Sequence, residues 1–238
     1  MTEKLRLSIE NLYSIFSIYP LHEKIEGCPC CVSDSMQSTI QSKELRKLSN
    51  DDLSKYAFKA ITTWGNTSDF KHFLPRIFEL MSSDSLIVNS FTVLRKLSLA
   101  NWKEWSEKEQ QAINIFLFSW WENILRYKDY FDHEIFVEIY KLTQDIDQLI
   151  NHWIIKFDEN SFISFINLIE DYFYDLKNDR KEFKEFTNID TEKFIKWIDE
   201  NAIKLEDGFF YFESKDSKLQ KRISNSLYIY EHIYKTFT

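Results

Sequence analysis

The segment Cys28-Pro29-Cys30-Cys31 gathers all three cysteines of the chain into four positions, with His22 six residues upstream of Cys28. Cys28 and Cys31 stand in the C-x-x-C relation. Two thiolates at that spacing can chelate one Zn²⁺, with Cys30 or His22 completing the set. The same spacing serves thioredoxin-type redox chemistry, which needs a βαβ setting. A closed zinc site normally draws on a second ligand pair, and the sequence holds no other cysteine. A reduced, partly buried loop without a cofactor is the simpler expectation, and zinc on Cys28, Cys31 and His22 is the alternative. An odd, clustered set of thiols cannot build a disulfide framework, which points to a reducing, cytoplasmic setting.

Three further patterns carry titratable groups. His133-Glu134 opens like the H-E-x-x-H zinc motif, but position 137 is Val, so the second imidazole is missing. Asp171 and Asp175 stand four apart with Glu170 beside them. On one helix face such carboxylates can hold Mg²⁺ or exchange protons, but no second acidic motif matches them, which favours a solvated face. The densest mixture of residue types is Trp64-Gly65-Asn66-Thr67-Ser68-Asp69-Phe70-Lys71-His72-Phe73-Leu74-Pro75-Arg76. Asp69, His72 and Arg76 fall at i, i+3 and i+7 and line one polar edge. That edge suits a small polar recognition site, or else the pairing of carbonyls and carboxylates at a crowded helix junction. No phosphate loop, nucleophile elbow or dinucleotide fingerprint occurs.

The elements that must position these residues read as helices. Three glycines and three prolines in 238 residues compare with roughly 28 expected at average usage, too few to turn the corners of a β-sandwich or barrel. Apolar residues recur at helical spacing throughout. Leu5, Ile9, Leu12, Phe16 and Tyr19 form one stripe ended by Pro20. Leu53, Tyr56, Ala57, Ala60, Ile61 and Trp64 form a second, with Ser49 and Asp52 at its start and Gly65 at its C-terminal cap. Residues 70–81, 86–99, 135–149, 159–175 and 190–204 continue the pattern. Ser106-x-x-Glu109 is a capping box that opens the clearest helix, with Ile113, Phe116, Trp120 and Trp121 on one face. The last helix presents Leu219, Ile223, Leu227, Tyr230 and Tyr234. The expectation is an all-α single domain over 1–238, with about ten amphipathic helices. Their arrangement is an irregular HEAT-like α-α superhelix or a compact helical bundle. Residues 20–44 form an irregular cysteine-containing loop in this reading. The stripes of Trp and Phe are core.

Charge is distributed unevenly. Residues 1–100 hold 12 basic and 11 acidic side chains, whereas residues 145–213 hold 8 and 17, a net −9 in a chain of net −8. Such a surface is a poor partner for nucleic acid, whose binding is built from Lys and Arg. It suits a basic protein, since complementary fields speed encounter. No apolar run approaches the roughly 18 residues of a membrane span. The N-terminal stretch, with Glu3 and Glu10 inside its apolar pattern, reads as an amphipathic helix rather than a signal peptide.

A resemblance rests on Glu26-Gly27-Cys28-Pro29-Cys30-Cys31, Leu45-x-x-Leu48, Asp52-Leu53-x-x-Tyr56-Ala57, Thr63-Trp64-Gly65 and the Asp69–Arg76 segment, with Trp102-x-x-Trp105 and Glu109. Over residues 20–130 the chain resembles a group of uncharacterised bacterial all-helical proteins, which implies no particular activity and no catalytic residue. In style rather than motif it is similar to the acidic helical immunity proteins of bacterial toxin systems. The function expected is therefore a noncatalytic protein-binding module. Its acidic surface, with Asp171, Asp175, Glu182, Glu185, Asp199 and Glu200, meets a basic partner of the toxin kind. The alternative is a metal-binding protein or enzyme centred on the Cys28/Cys31 loop and the His72/Arg76 helix.

Overall fold

Side-chain caps start most of the helices, and the computed structural model, which describes residues 1–235, shows where each one acts. Thr2 accepts from the Leu5 amide and opens α1 (Glu3–Phe16), and Ser33 accepts from Met36 and opens α2 (Asp34–Gln41). Ser49 and Asp52 form a reciprocal box at α3 (Asn50–Lys59), as do Asn66 and Asp69 at α4 (Thr67–Ser82). Asn89 caps α5 (Ser90–Leu99). In α6 (Glu107–Tyr127) the Glu109 carboxylate accepts from the Ser106 amide at 2.9 Å, which is the Glu109 half of the capping box read from the sequence. Asp132, Asp145 and Thr187 cap α7 (His133–Thr143), α8 (Ile146–Asn151) and α11 (Asn188–Asn201). The remaining helices are α9 (Asn160–Asn167), α10 (Phe173–Lys177), α12 (Ile203–Phe212) and α13 (Ser217–Lys235), with a π-helical turn, Leu168–Tyr172, joining α9 to α10. No strand occurs among the described residues, and the fold is all-α. The side chain of Tyr234 lies outside the described residues.

Contacts divide the chain into two compact units, Met1–Trp120 and Trp121–Thr238, with the boundary inside α6. In the first unit, α4 is the central rod. Its Phe70, Phe73, Leu74, Ile77 and Phe78 are fully buried, α1 lies along it, and Leu53 and Tyr56 of α3 close another side. The second unit is held by rings. Phe131 stacks on Trp153 at 5.2 Å, Phe136 lies 5.1 Å from Phe194, and Trp121 meets Trp153 edge-on at 5.6 Å. Each buried aromatic removes about 150–250 Å² from water, so this cluster supplies much of the unit's cohesion.

Several local features depart from the sequence expectation. Residues 20–44 are not irregular throughout. The Ser33 cap starts α2, which buries Ile40, and Gln41 ties it to the Glu23 carbonyl at 2.8 Å. The stripe from Leu53 to Trp64 is not one helix. Instead α3 stops at Lys59, Ile61 turns the chain with φ 68°, and Trp64 pairs with Gly27 and Ala60 in isolated bridges. Gly65 has the positive φ expected, 73°, but serves the entry of α4 rather than the end of α3. Residues 86–89 precede α5, because Asn89 takes the cap and leaves Leu86 half-buried outside the helix. A whole element, α12, goes unread between the two last stripes, for Gly208 at its centre breaks the helical signal.

Candidate functional site

Chemistry-bearing side chains gather in four places. In the first, the loop Glu26–Val32 is pinned to the turn after α3 by backbone bonds. Cys28 N donates to the Thr63 carbonyl at 2.9 Å, and Gly65 N donates to Glu26 at 2.6 Å. Cys31 N and Val32 N both donate to the Cys28 carbonyl at 2.9 Å, folding the loop into one tight turn. The Lys59 ammonium donates to the Cys31 carbonyl. This geometry brings the three thiols together. Cys28 Sγ lies 2.8 Å from Cys30 Sγ, and Cys30 Sγ lies 3.5 Å from Cys31 Sγ. All three sulfurs fall within 4.8 Å of one another, and they are the only metal-capable group of His, Cys and acidic residues among the described residues. The thiols of Cys30 and Cys31 lower the pKa of Cys28 by hydrogen bonding, and the bond to Cys28 pushes Cys30 up to about 11. Beneath the loop, Trp64 is buried and meets Tyr56 edge-on at 5.3 Å.

The ligand set expected from the sequence is altered. His22 does not join the thiols, because its Nδ1 lies 2.7 Å from Asp69 Oδ1, a carboxylate that is 3% exposed. Cys30 stands with Cys28 and Cys31 in its place.

The second place is the Asp69–Arg76 edge, where every group is committed to the fold. Asp69 also accepts from the Asn66 amide at 2.8 Å. His72 Nδ1 donates to the Tyr19 carbonyl at 2.8 Å. Arg76 Nε donates to the Leu48 carbonyl at 2.8 Å, and its Nη1 lies 2.7 Å from Glu79. Asp69, His72 and Arg76 are therefore fasteners between α4 and the segments on either side of it. Beside them sits a pair that sequence reasoning missed. Lys71 Nζ meets Glu109 Oε1 at 2.8 Å with both side chains about a tenth exposed or less, and Tyr19 OH donates to the same oxygen at 2.6 Å. Lys71 also lies 4.2 Å over the Trp105 ring. Burial opposes the Glu109 charge, but hydrogen bonds from Lys71, Tyr19 and Ser106 outweigh it and hold its pKa low. The signal was available in the spacing, since Lys71 falls three and seven residues before Leu74 and Phe78 on the inward stripe.

The third place holds the acidic residues of the second unit. Asp171 lies in the π turn Leu168–Tyr172, and Asp175 lies in α10, which follows it. Asp175 accepts from the amides of Lys181 and Glu182 at 3.1 and 3.0 Å and fastens the following loop. Asp171 is exposed, with its pKa raised by local burial and by Glu170. Asp199 accepts from Tyr230 OH at 3.1 Å, and Glu200 lies 3.7 Å from Lys196. Glu182 and Glu185 are exposed. His133 is instead a packed ring. It stacks on Tyr172 at 4.6 Å and its Nε2 donates to the Glu182 carbonyl at 3.0 Å.

The fourth place is the outer face of α12, which the sequence analysis did not single out. Ile203, Glu206, Asp207 and Phe210 lie at i, i+3, i+4 and i+7, and all four are exposed, Phe210 at 71%. Comparison of the chain with protein-family models, curated proteins and solved structures finds no match.

Proposed function

We propose that this protein is a noncatalytic binding module whose second unit receives a basic protein partner, in the manner of an immunity protein that engages a basic toxin. The observation that carries the reading is the α12 face, where Ile203 and Phe210 flank Glu206 and Asp207 on one exposed stripe. An exposed phenylalanine beside an exposed isoleucine is surface that gains free energy only when covered. Aromatic anchors of this kind dominate the energetics of protein interfaces. The carboxylates between them select the partner's sign, and the net −9 of residues 145–213 steers it. The fitting segment is one that presents Lys or Arg between apolar side chains. The interface moves with this reading from Asp175 and Asp199, which are held by Lys181, Glu182 and Tyr230, to α12 and the exposed Glu182, Glu185 and Glu200 nearby in sequence.

Partner isolation with three baits tests it: the native chain, Phe210→Asp, and the double variant Glu206→Lys/Asp207→Lys. The native chain is expected to retain a basic protein that neither variant retains. Retention is expected to fall as salt rises from about 0.1 to 1 M and the Debye length shrinks from about 10 to 3 Å. A partner held equally by all three baits, or held regardless of salt, refutes the assignment.

A further inference from the structure

We infer that Cys28, Cys30 and Cys31 form a three-thiolate binding site for a thiophilic d¹⁰ metal ion, with Cu(I) as its best fit. The first argument is distance. Metal–sulfur bonds of about 2.3 Å place the sulfurs of one coordination sphere about 4 Å apart. The three sulfurs here already lie within 4.8 Å of one another, at 2.8 and 3.5 Å for the two pairs that share Cys30. Opening those pairs to the bonding distance asks only for small side-chain rotations.

The second argument is the donor set. It is all sulfur, which selects soft ions such as Cu(I) and Zn(II) over hard ones. It also has three members. The imidazole that would make a fourth, His22, is turned to the buried carboxylate of Asp69 at 2.7 Å, and no further His, Cys or acidic ligand joins the group among the described residues. Zinc in closed protein sites is almost always four-coordinate. Cu(I), a d¹⁰ ion without such a demand, is satisfied by three thiolates in a plane.

The third argument is preorganisation. The Cys31 and Val32 amides bind the Cys28 carbonyl, and the loop is bridged at Gly27 to Trp64, so little ordering remains to be done when the ion arrives. The Lys59 ammonium on the Cys31 carbonyl offsets part of the negative charge that three thiolates bring. Cys30 is exposed, which leaves the ion open to exchange with a donor or acceptor molecule. Binding breaks three S–H bonds and forms three Cu–S bonds. The protons pass to solvent, and neither metal nor sulfur changes oxidation state.

The test uses the full chain, metal-free and reduced under anaerobic conditions, titrated with Cu(I) buffered by a competing chelator. One equivalent is expected to bind with thiolate-to-copper absorption in the ultraviolet and three sulfurs at one distance by X-ray absorption. Cys28→Ser, Cys30→Ser and Cys31→Ser are each expected to weaken binding beyond the roughly 10–100-fold that outer-sphere changes cost. His22→Ala is expected to leave affinity within about that lower bound. Circular dichroism of each variant checks that the fold persists, since the thiols lie on a surface loop. The assignment is overturned if any single Cys→Ser variant binds like the native chain. It is also overturned if His22→Ala loses as much as a cysteine variant, if uptake fails to saturate at one equivalent, or if one equivalent of Zn(II) is not displaced by Cu(I).

Discussion

The two units solve the same packing problem with different materials. The first buries charge. Asp69, Lys71, Lys96 and Glu109 are all nearly inaccessible, and the bonds among Lys71, Glu109, Tyr19, Asp69 and His22 fix how the loops at 17–33 seat on α4. The second packs rings and, among the described residues, buries only Glu138 of its charged side chains. The charge totals follow the same division, with 14 basic and 14 acidic residues over 1–120 against 16 and 24 over 121–238. Breaking a buried pair leaves an uncompensated charge, whereas ring packing draws its stabilisation from the apolar area it removes from water. That contrast accounts for where each proposed site lies. Three thiols can be held within bonding reach only by a loop pinned at both flanks. A partner surface needs only a cohesive support and an outer skin left free to carry one sign of charge.

The largest expected effect tests the charge-burying side. Lys71→Met leaves the Glu109 carboxylate buried without its cation, and removing one member of such a pair costs about 3–5 kcal/mol. Glu109 also accepts from the Ser106 amide at 2.9 Å and caps α6. The second-site change should therefore remove its charge while keeping an acceptor. Lys71→Met with Glu109→Gln is expected to recover a large part of the loss, measured by denaturant unfolding. If Lys71→Met costs no more than a surface substitution, the first unit is not organised by its buried charge.

A smaller effect tests the ring-packed side. Gly208 lies in the middle of α12, where alanine would ordinarily favour the helix by about 1 kcal/mol. A Cβ at that position would overlap the Phe162 ring, reaching 2.8 Å from its Cε1. Overpacking of this kind costs about 1–3 kcal/mol, so Gly208→Ala is expected to destabilise despite the gain in propensity. Adding Phe162→Leu should return part of the loss. A neutral or stabilising Gly208→Ala would mean that α12 shifts freely on α9 and that the outer stripe of Ile203 and Phe210 is not fixed in place.

The same residues show which parts of the molecule were legible in the letters. Helix starts were readable where a short polar side chain marks them, as at Ser49 and Ser106, since that chemistry is local. The core stripes of α1, α4 and α6 were readable because a period of 3.6 selects one face. α12 was not, because its glycine is explained only by Phe162, which stands 46 positions away. The π turn was equally hidden, since Leu168 and Ile169 are both buried and either fits an α-helical stripe. At the thiols, spacing alone left Cys30 and His22 equivalent as third ligands. Asp69 decided between them through a bond across 47 residues, beyond the reach of any local pattern. Lys71 was the opposite case, a lysine visible on an inward stripe whose partner, Glu109, had already been assigned to a cap and in fact does both.

The smallest expected effect is a difference in how the units meet acid. In the first unit the carboxylates that gain from folding titrate low. Asp52 is held at about 2, first by Lys43 and then by the Ser49 amide, and Glu109 lies below its ordinary value. A depressed carboxylate contributes stability above its unfolded pKa, near 4, and loses it as pH falls toward the folded value. The second unit contains His133, whose burial against Tyr172 and Phe183 lowers its pKa despite Glu182, Glu134 and Asp175 around it. Below the unfolded value of about 6.5 the unfolded chain takes up a proton that folded His133 still refuses, so stability falls with pH until the folded pKa is passed. One proton sets the upper limit of that slope. Amide exchange followed from pH 7 to 5 is therefore expected to show protection falling in α7, which carries His133, while α4 holds until the carboxylates titrate. His133→Phe keeps a ring on Tyr172 and removes the titration, and should abolish this part of the slope. Loss of protection in α4 before α7 would overturn this order.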